Sequence, residues 1–312
     1  MKYVIKKLLT TLITLFAVSA LVFFSFSVIP GNPAVSRLGT EATPEKIEKL
    51  THEMGLDRPL PERYGEWVLN ILHGDFGKSY SYNQKVTALL SEKIGTTLIL
   101  SVIAIILTVA VAFPLGIYTA RKSDSKLDVV LTSLNQLIMA IPSFFSGILI
   151  TLLFGFVFKL FTPGAYVSYK VNFLRCVGYL FFPALAIALP KISMVVKLLK
   201  DTALKEANKD YVVTAYSRGN ATRAVFYKHV LKNAMIPVIT FLGMTFADII
   251  AGSIIVEQVF SVPGLGRILL TSISGRDYPM VQAIILLLSV FVVISNLAVD
   301  FMYRAFDKRI RV

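Results

Sequence analysis

Over most of this chain the apolar positions neither alternate nor recur at a helical-surface spacing; they come in long blocks almost free of charge. Six blocks stand out, at residues 8–29, 96–120, 129–158, 177–196, 234–256 and 279–299. A bilayer core about 30 Å thick takes roughly 20 residues of helix to cross, because no water is present to satisfy an open backbone. The pattern therefore predicts an all-α, polytopic membrane protein with six transmembrane helices. The third block is the longest and is expected to tilt or to continue beyond the lipid. Pro114, Pro142, Pro183 and Pro237 fall inside blocks, where neighbouring helices can re-satisfy the freed backbone groups. The first block follows Lys2, Lys6 and Lys7 as a signal peptide would. Its apolar run exceeds the usual signal length, and Val18-Ser19-Ala20 is followed by more apolar sequence. An uncleaved first helix is expected.

Lysine and arginine set the orientation. With the N-terminus inside, the inner pieces and Lys191 hold 19 basic residues, while the two short outer loops hold five. The long first loop is discounted, because long loops translocate regardless of charge. Both termini are expected to be cytoplasmic. The chain then divides into a first transmembrane helix at 1–29, an extracytoplasmic loop subdomain at 30–95, and a five-helix transmembrane domain at 96–312.

The 30–95 segment reads as three short amphipathic helices. Thr43 caps a helix that opens on Pro44 and ends at Gly55. Pro61 opens a second, with Tyr64, Trp67, Val68, Ile71 and Leu72 on one face before Gly74. Val86, Leu89, Leu90 and Ile94 mark a third that leads into the second span. Such helices form either a cap packed at the outer mouth, or lying in the interface, or a docking surface for an external partner. The inner loop at 197–233 has 37 residues, eight of them basic, and a helical pattern broken at Gly219. A loop of that length usually does more than connect, although a basic inner loop also suits anionic lipid headgroups.

Composition narrows the chemistry. Of 312 residues, 55% are hydrophobic without counting glycine and 16% are charged, against about 25% charged in a soluble domain. Disordered, collagen-like and disulfide-rich secreted chains are excluded. The single Cys176 offers neither an internal disulfide nor a zinc cluster. A net charge of +13 is a topology signal first; nucleic-acid binding would call for a basic soluble domain. The three histidines, His52, His73 and His229, all lie outside the spans, and no metalloprotease or nucleophile-elbow motif occurs. Pro263-Gly264-Leu265-Gly266 lacks the strand, the third glycine and the G-K-[ST] ending of a phosphate loop. No enzyme activity and no cofactor of its own are expected. Asp248 sits in the middle of a span, at a cost of roughly 2.5–3.5 kcal/mol on insertion scales. It either lines a translocation path, facing a positive group on the substrate or a coupling ion, or makes a structural bond to a neighbouring helix. Asp300 and Arg304 are expected to pair at a helix end.

The inner loop reads Asp210-Tyr211-Val212-Val213-Thr214-Ala215-Tyr216-Ser217-Arg218-Gly219, then His229-Val230-Leu231-Lys232-Asn233-Ala234-Met235-Ile236-Pro237. It resembles the EAA loop of permease subunits of bacterial ABC importers, in the version of the dipeptide, oligopeptide and nickel permease family. Val213 stands where the general motif has glutamate and Thr214 where it has its first alanine; Ala215 and Gly219 match. Further stretches agree: Pro30-Gly31-Asn32-Pro33-Ala34, Gly55-Leu56-Asp57-Arg58-Pro59-Leu60, Gly74-Asp75-Phe76-Gly77-Lys78-Ser79, Val256-Glu257-Gln258 through Arg267, Arg276-Asp277-Tyr278-Pro279, and the tail Asp307-Lys308-Arg309-Ile310-Arg311.

The resemblance implies a subunit of the bacterial inner membrane that works with a second permease, two cytoplasmic ATPase subunits that bind ATP and Mg, and an extracytoplasmic solute-binding protein. It implies a coupling segment over about 211–229, involving Tyr211, Thr214, Ala215, Gly219 and His229, with Ala215 and Gly219 at its turn. Di- or oligopeptides are the expected cargo, with nickel or another metal chelate as the alternative within the family. A self-sufficient secondary carrier is the reading from another class, but no clear internal repeat supports it.

Overall fold

A computed structural model describes residues 2–28 and 32–306. Pro30, Gly31 and the tail motif at 307–311 lie outside the described residues, as do the side chains of the expected Asp300–Arg304 pair. Among the described residues the regular structure is helical: α1 (Lys2–Val28), α2 (Pro33–Leu38), α3 (Pro44–Glu53), α4 (Leu60–Leu72), α5 (Val86–Arg121), α6 (Lys126–Ala140), α7 (Ser143–Ile150), α8 (Phe173–Ala207), α9 (Asp210–Ser217), α10 (Thr222–Val225), α11 (Leu231–Val259), α12 (Leu265–Ser274) and α13 (Tyr278–Phe306). π-helical turns follow α7 at Thr151–Val157 and precede α11 at Phe226–Val230. Five of these helical stretches are long and apolar enough to cross a bilayer, and α6 with α7 makes a sixth, bent span.

That bend corrects the reading of 129–158 as one helix. α6 and α7 meet at 102°, because Pro142 has no N–H to donate and its ring pushes the preceding residue out of the helical region. Ile141 accordingly takes φ −84° and ψ 121°, and the Pro142 carbonyl accepts the first bond of α7, from Ser146 N–H at 3.0 Å. Pro114, Pro183 and Pro237 stay inside their helices, as expected.

The residues form two compact units. One gathers residues within Met1–Thr97 and Pro263–Val293. In it the capping signals read from the sequence are realised: Thr43 Oγ1 accepts Lys46 N–H, Pro44 opens α3, and Gly55 follows with φ +63°. The helix expected from Val86 runs without a break into the second span, making α5 36 residues long, about 54 Å at 1.5 Å per residue and so longer than the lipid is thick. Two helices were not anticipated, α2 behind its Asn32 cap and the amphipathic α12. α4 lies on α1: Tyr64 and Trp67 meet Phe23 at 5.4 and 5.5 Å between ring centroids, and Tyr64 Oη is 2.9 Å from Ser19 Oγ.

The other unit, within Leu98–Val262 and Ile294–Arg311, is built on α8, which packs against α6, α7 and α11. Small residues let these helices approach, the usual solution where lipid removes the hydrophobic drive between them. Ala184, Ala186 and Ala188 are buried on α8, and a Cβ at Gly243 would stand 2.0 Å from Val299 Cγ2.

Candidate functional site

The segment between α8 and α11 folds as a hairpin of short helices. α8 ends at Ala207, α9 runs over the D-Y-V-V-T-A-Y-S sequence, and the chain turns through Gly219 with φ +78° before α10. A left-handed residue is cheap only for glycine, which is why the helical pattern breaks there. Beyond its two chain neighbours, nothing lies within 4 Å of a Cβ built at Gly219, so the turn is open to solvent. Ala215 lies not at the turn but within α9, packed with Val212 against Ala203, Val225, Val230 and Ala234. Its neighbours Val213, Thr214 and Tyr216 face outward and are exposed. α9 thus has a packed face and a bare face that carries apolar side chains. Thr214 Oγ1 only returns to its own helix, donating to Asp210 O at 3.0 Å.

Tyr211 is the junction of this hairpin. Its hydroxyl donates to Glu206 Oε1 at the end of α8 (2.8 Å) and accepts from Asn233 Nδ2 in the first turn of α11 (2.9 Å), with His229 O at 3.4 Å. One phenol therefore ties α9 to both long helices. Partial burial raises the Tyr211 pKa above the usual phenol value, and the Glu206 carboxylate beside Lys209, 2.6 Å away, raises that ammonium as well. Nothing in the sequence pattern marks the Glu206–Tyr211–Asn233 junction, although Tyr211 and Asn233 stand in the two motif stretches. His229 contributes through its backbone carbonyl.

Two further ion pairs lie in the same unit. Lys200 Nζ is 2.7 and 2.8 Å from the two oxygens of the buried Asp128, and 3.0 Å from Thr132 Oγ1, which fastens α6 to α8. Asp248 pairs with Lys191 across α11 and α8 at 3.1 Å. The Asp248 side chain is 66% exposed and that of Lys191 20% exposed. Charges at that depth in a membrane face protein or water rather than acyl chains. Asp248 therefore makes the interhelical bond of the structural reading while remaining open on the surface of this chain.

In the other unit, two motif stretches that the sequence left separate are joined. The fully buried Asp277 carboxylate accepts from Ser79 Oγ–H, from Tyr80 N–H at 3.0 Å and from Ser81 N–H at 3.2 Å. The Tyr80 phenol pKa is raised by burial.

Comparison with known proteins covers the whole chain. The family model described as binding-protein-dependent transport system inner membrane component matches residues 112–312, and that for the N-terminal part of such membrane components matches residues 1–101. Among similar proteins are the dipeptide transport system permease protein of Lactococcus lactis subsp. cremoris, 30% identical over 99% of each chain, and the oligopeptide transport system permease protein of Bacillus subtilis, 30% identical over 99% of this chain and 98% of the relative. The glutathione transport system permease protein of Escherichia coli is 33% identical over 100% of this chain and 99% of its own.

Proposed function

The chain belongs to the family of binding-protein-dependent transport system inner membrane components, and from that premise we propose that it is one of two permease subunits in an ATP-driven importer of di- and oligopeptides. The observation that carries the cargo is end-to-end similarity to relatives whose names specify dipeptide, oligopeptide and glutathione transport. In this reading a solute-binding protein delivers peptide on the outer side, a second permease completes the path, and two ATPase subunits bind ATP and Mg on the cytoplasmic side, where both termini lie.

The coupling segment is the α9–Gly219–α10 hairpin. What supports this is its two-faced build: Val212 and Ala215 anchor it to its own unit, while Val213, Tyr216 and the open turn at Gly219 are left for a partner. A conformational change needs a driver with differential contacts to the two states; here that is closure of the ATPase pair. Asp248, exposed yet paired with Lys191, is assigned to the path side of α11.

The test is uptake in a strain lacking this chain, comparing labelled dipeptide, a longer peptide and chelated nickel. Loss of either peptide signal, restored by the wild type but not by Gly219→Asp, supports the assignment. Loss of nickel alone moves the cargo to the metal branch of the family. Because the turn is sterically open, Gly219→Asp costs only about 1 kcal/mol of left-handed strain, and a complete loss with normal insertion would report on what docks there. For Asp248→Asn, equal retention of charged and uncharged cargo removes it from the path.

A further inference from the structure

Arg121 ends α5, and its guanidinium lies 5.4 Å from the centroid of the Tyr227 ring, with Nη1–H donating to Tyr227 Oη at 3.2 Å. Arg223, on α10, lies 6.0 Å from the centroid of the same ring. Two guanidiniums are thus gathered on one phenol; in the chain Lys122 follows Arg121 and Lys228 follows Tyr227. Three other cations of this unit have acids: Lys191 holds Asp248, Lys200 holds Asp128 and Lys209 holds Glu206. Among the described residues neither Arg121 nor Arg223 has a carboxylate partner, and both are exposed. A ring face orients a guanidinium while leaving its N–H edge free for an anion.

The place of this cluster identifies the anion. Ile106 and Leu115 on α5 are exposed, and so are Leu127, Val130, Leu134 and Leu137, which form one stripe of α6 at helical spacing. In this chain that stripe is open to acyl chains, since a helix that satisfies its own backbone can border lipid directly. The α6 stripe starts at the turn that joins this helix to α5, where Arg121 and Lys122 lie. A guanidinium at the end of an acyl-facing stripe sits at the depth of lipid phosphates.

We propose that Arg121, Tyr227 and Arg223 form a binding site for the phosphate of an anionic phospholipid, at the membrane boundary beside the hairpin of α9 and α10. Each guanidinium presents paired N–H donors to phosphate oxygens, a geometry lysine does not reproduce. The bound headgroup links the end of α5 to the return arm of the hairpin. This makes the hairpin's position depend on lipid, a consequence that rests on the coupling role proposed above.

The experiment uses the complete transporter in nanodiscs of phosphatidylcholine with or without phosphatidylglycerol. Retained lipid is read by native mass spectrometry, and peptide uptake and ATP turnover in vesicles of the same compositions. Lipid retention needs no transport, so failure of the peptide reading leaves this arm intact. The wild type is expected to retain phosphatidylglycerol in preference to phosphatidylcholine. Arg121→Gln with Arg223→Gln should lower that retention about 30-fold, the effect of two surface cations, and lower uptake only in the phosphatidylglycerol vesicles. Arg121→Lys with Arg223→Lys, which preserves charge and controls for folding, should recover it only in part. Unchanged retention in the Gln variant overturns the proposal, and full recovery by lysine reduces the site to a diffuse basic surface. Equal displacement by soluble glycerophosphoglycerol would make the ligand a free phosphate. An uptake defect of the same size in both lipids would make the cluster a contact for the ATPase.

Discussion

Tyr211→Phe removes one oxygen atom and leaves every ring contact of α9 in place. That hydroxyl donates to Glu206 at 2.8 Å and accepts from Asn233 at 2.9 Å; the 3.4 Å contact with His229 O adds little. A hydrogen bond to an ionised acceptor contributes about 1.5–3 kcal/mol and a neutral one about 1 kcal/mol. Tyr211 is 36% exposed, so water replaces part of what is lost and the lower end applies, about 2 kcal/mol in total. At 1.4 kcal/mol per decade, the balance between docked and detached α9 shifts about 30-fold. If the hairpin carries ATPase closure into the membrane helices, as proposed above, it must be stiff at this junction. The variant should therefore insert normally and hydrolyse ATP, but import several-fold fewer peptides per ATP. The assay is the ratio of uptake to ATP turnover in vesicles with the complete transporter. Asn233→Leu should lower the ratio similarly, and the double variant little further, because both act through one hydroxyl. A wild-type ratio for Tyr211→Phe, or defects that simply add, would refute the reasoning.

Other features give further tests. Asp277→Ala leaves two amides and a hydroxyl without their acceptor, about 3 kcal/mol of local stability, against about 1 kcal/mol for Ser79→Ala; hydrogen exchange at residues 79–81 should rise far more in the first variant, and equal effects would discount the carboxylate. Gly243→Ala puts a methyl 2.0 Å from Val299 Cγ2 and should cost about 1–3 kcal/mol by overpacking. Val299→Ala should restore it, read as the temperature at which the buried Cys176 becomes reactive. His52 Nδ1 lies 2.6 Å from an Asp57 oxygen; that bond raises the His52 pKa above 6.5 and lowers the Asp57 pKa below 3.8. The pair's contribution is therefore full between those two values. It is lost as pH rises through the raised His52 value and as it falls through the lowered Asp57 value. Exchange at residues 54–57, corrected for intrinsic rate, should be slowest in that interval; a pH-independent rate would dismiss the pair.

Much of the fold was legible because a membrane leaves few choices. Apolar blocks almost free of charge located the crossing segments among the described residues, and Thr43, Pro44 and Gly55 marked both ends of α3. The break at Pro142 was not legible, since Pro114, Pro183 and Pro237 sit in equally apolar surroundings and stay helical. What differs is that α6 and α7 pack separately on α8, which composition does not encode. α12 was hidden for the opposite reason: Leu265, Ile268, Leu269 and Ser272 have helical spacing, but the segment is too short to register as a span. In the α9–Gly219–α10 hairpin, the motif placed Tyr211, Gly219 and Asn233 without saying which touch. The Tyr211–Asn233 bond closes over 22 residues, and the Asp128–Lys200 pair over 72; pairings at such distances leave no local trace.

The longest of these closures bears on how the protein is made. Asp277 meets Ser79, Tyr80 and Ser81 across 198, 197 and 196 residues. At a ribosomal pace of about 5–20 residues per second, roughly 10–40 s separate the emergence of the two partners. Until Asp277 arrives, those amides have only water, and that unit stays unfinished while most of the chain has already been threaded into the bilayer. A nascent chain stalled before Asp277 would carry an unlatched loop, open to any quality-control protease on that side of the membrane.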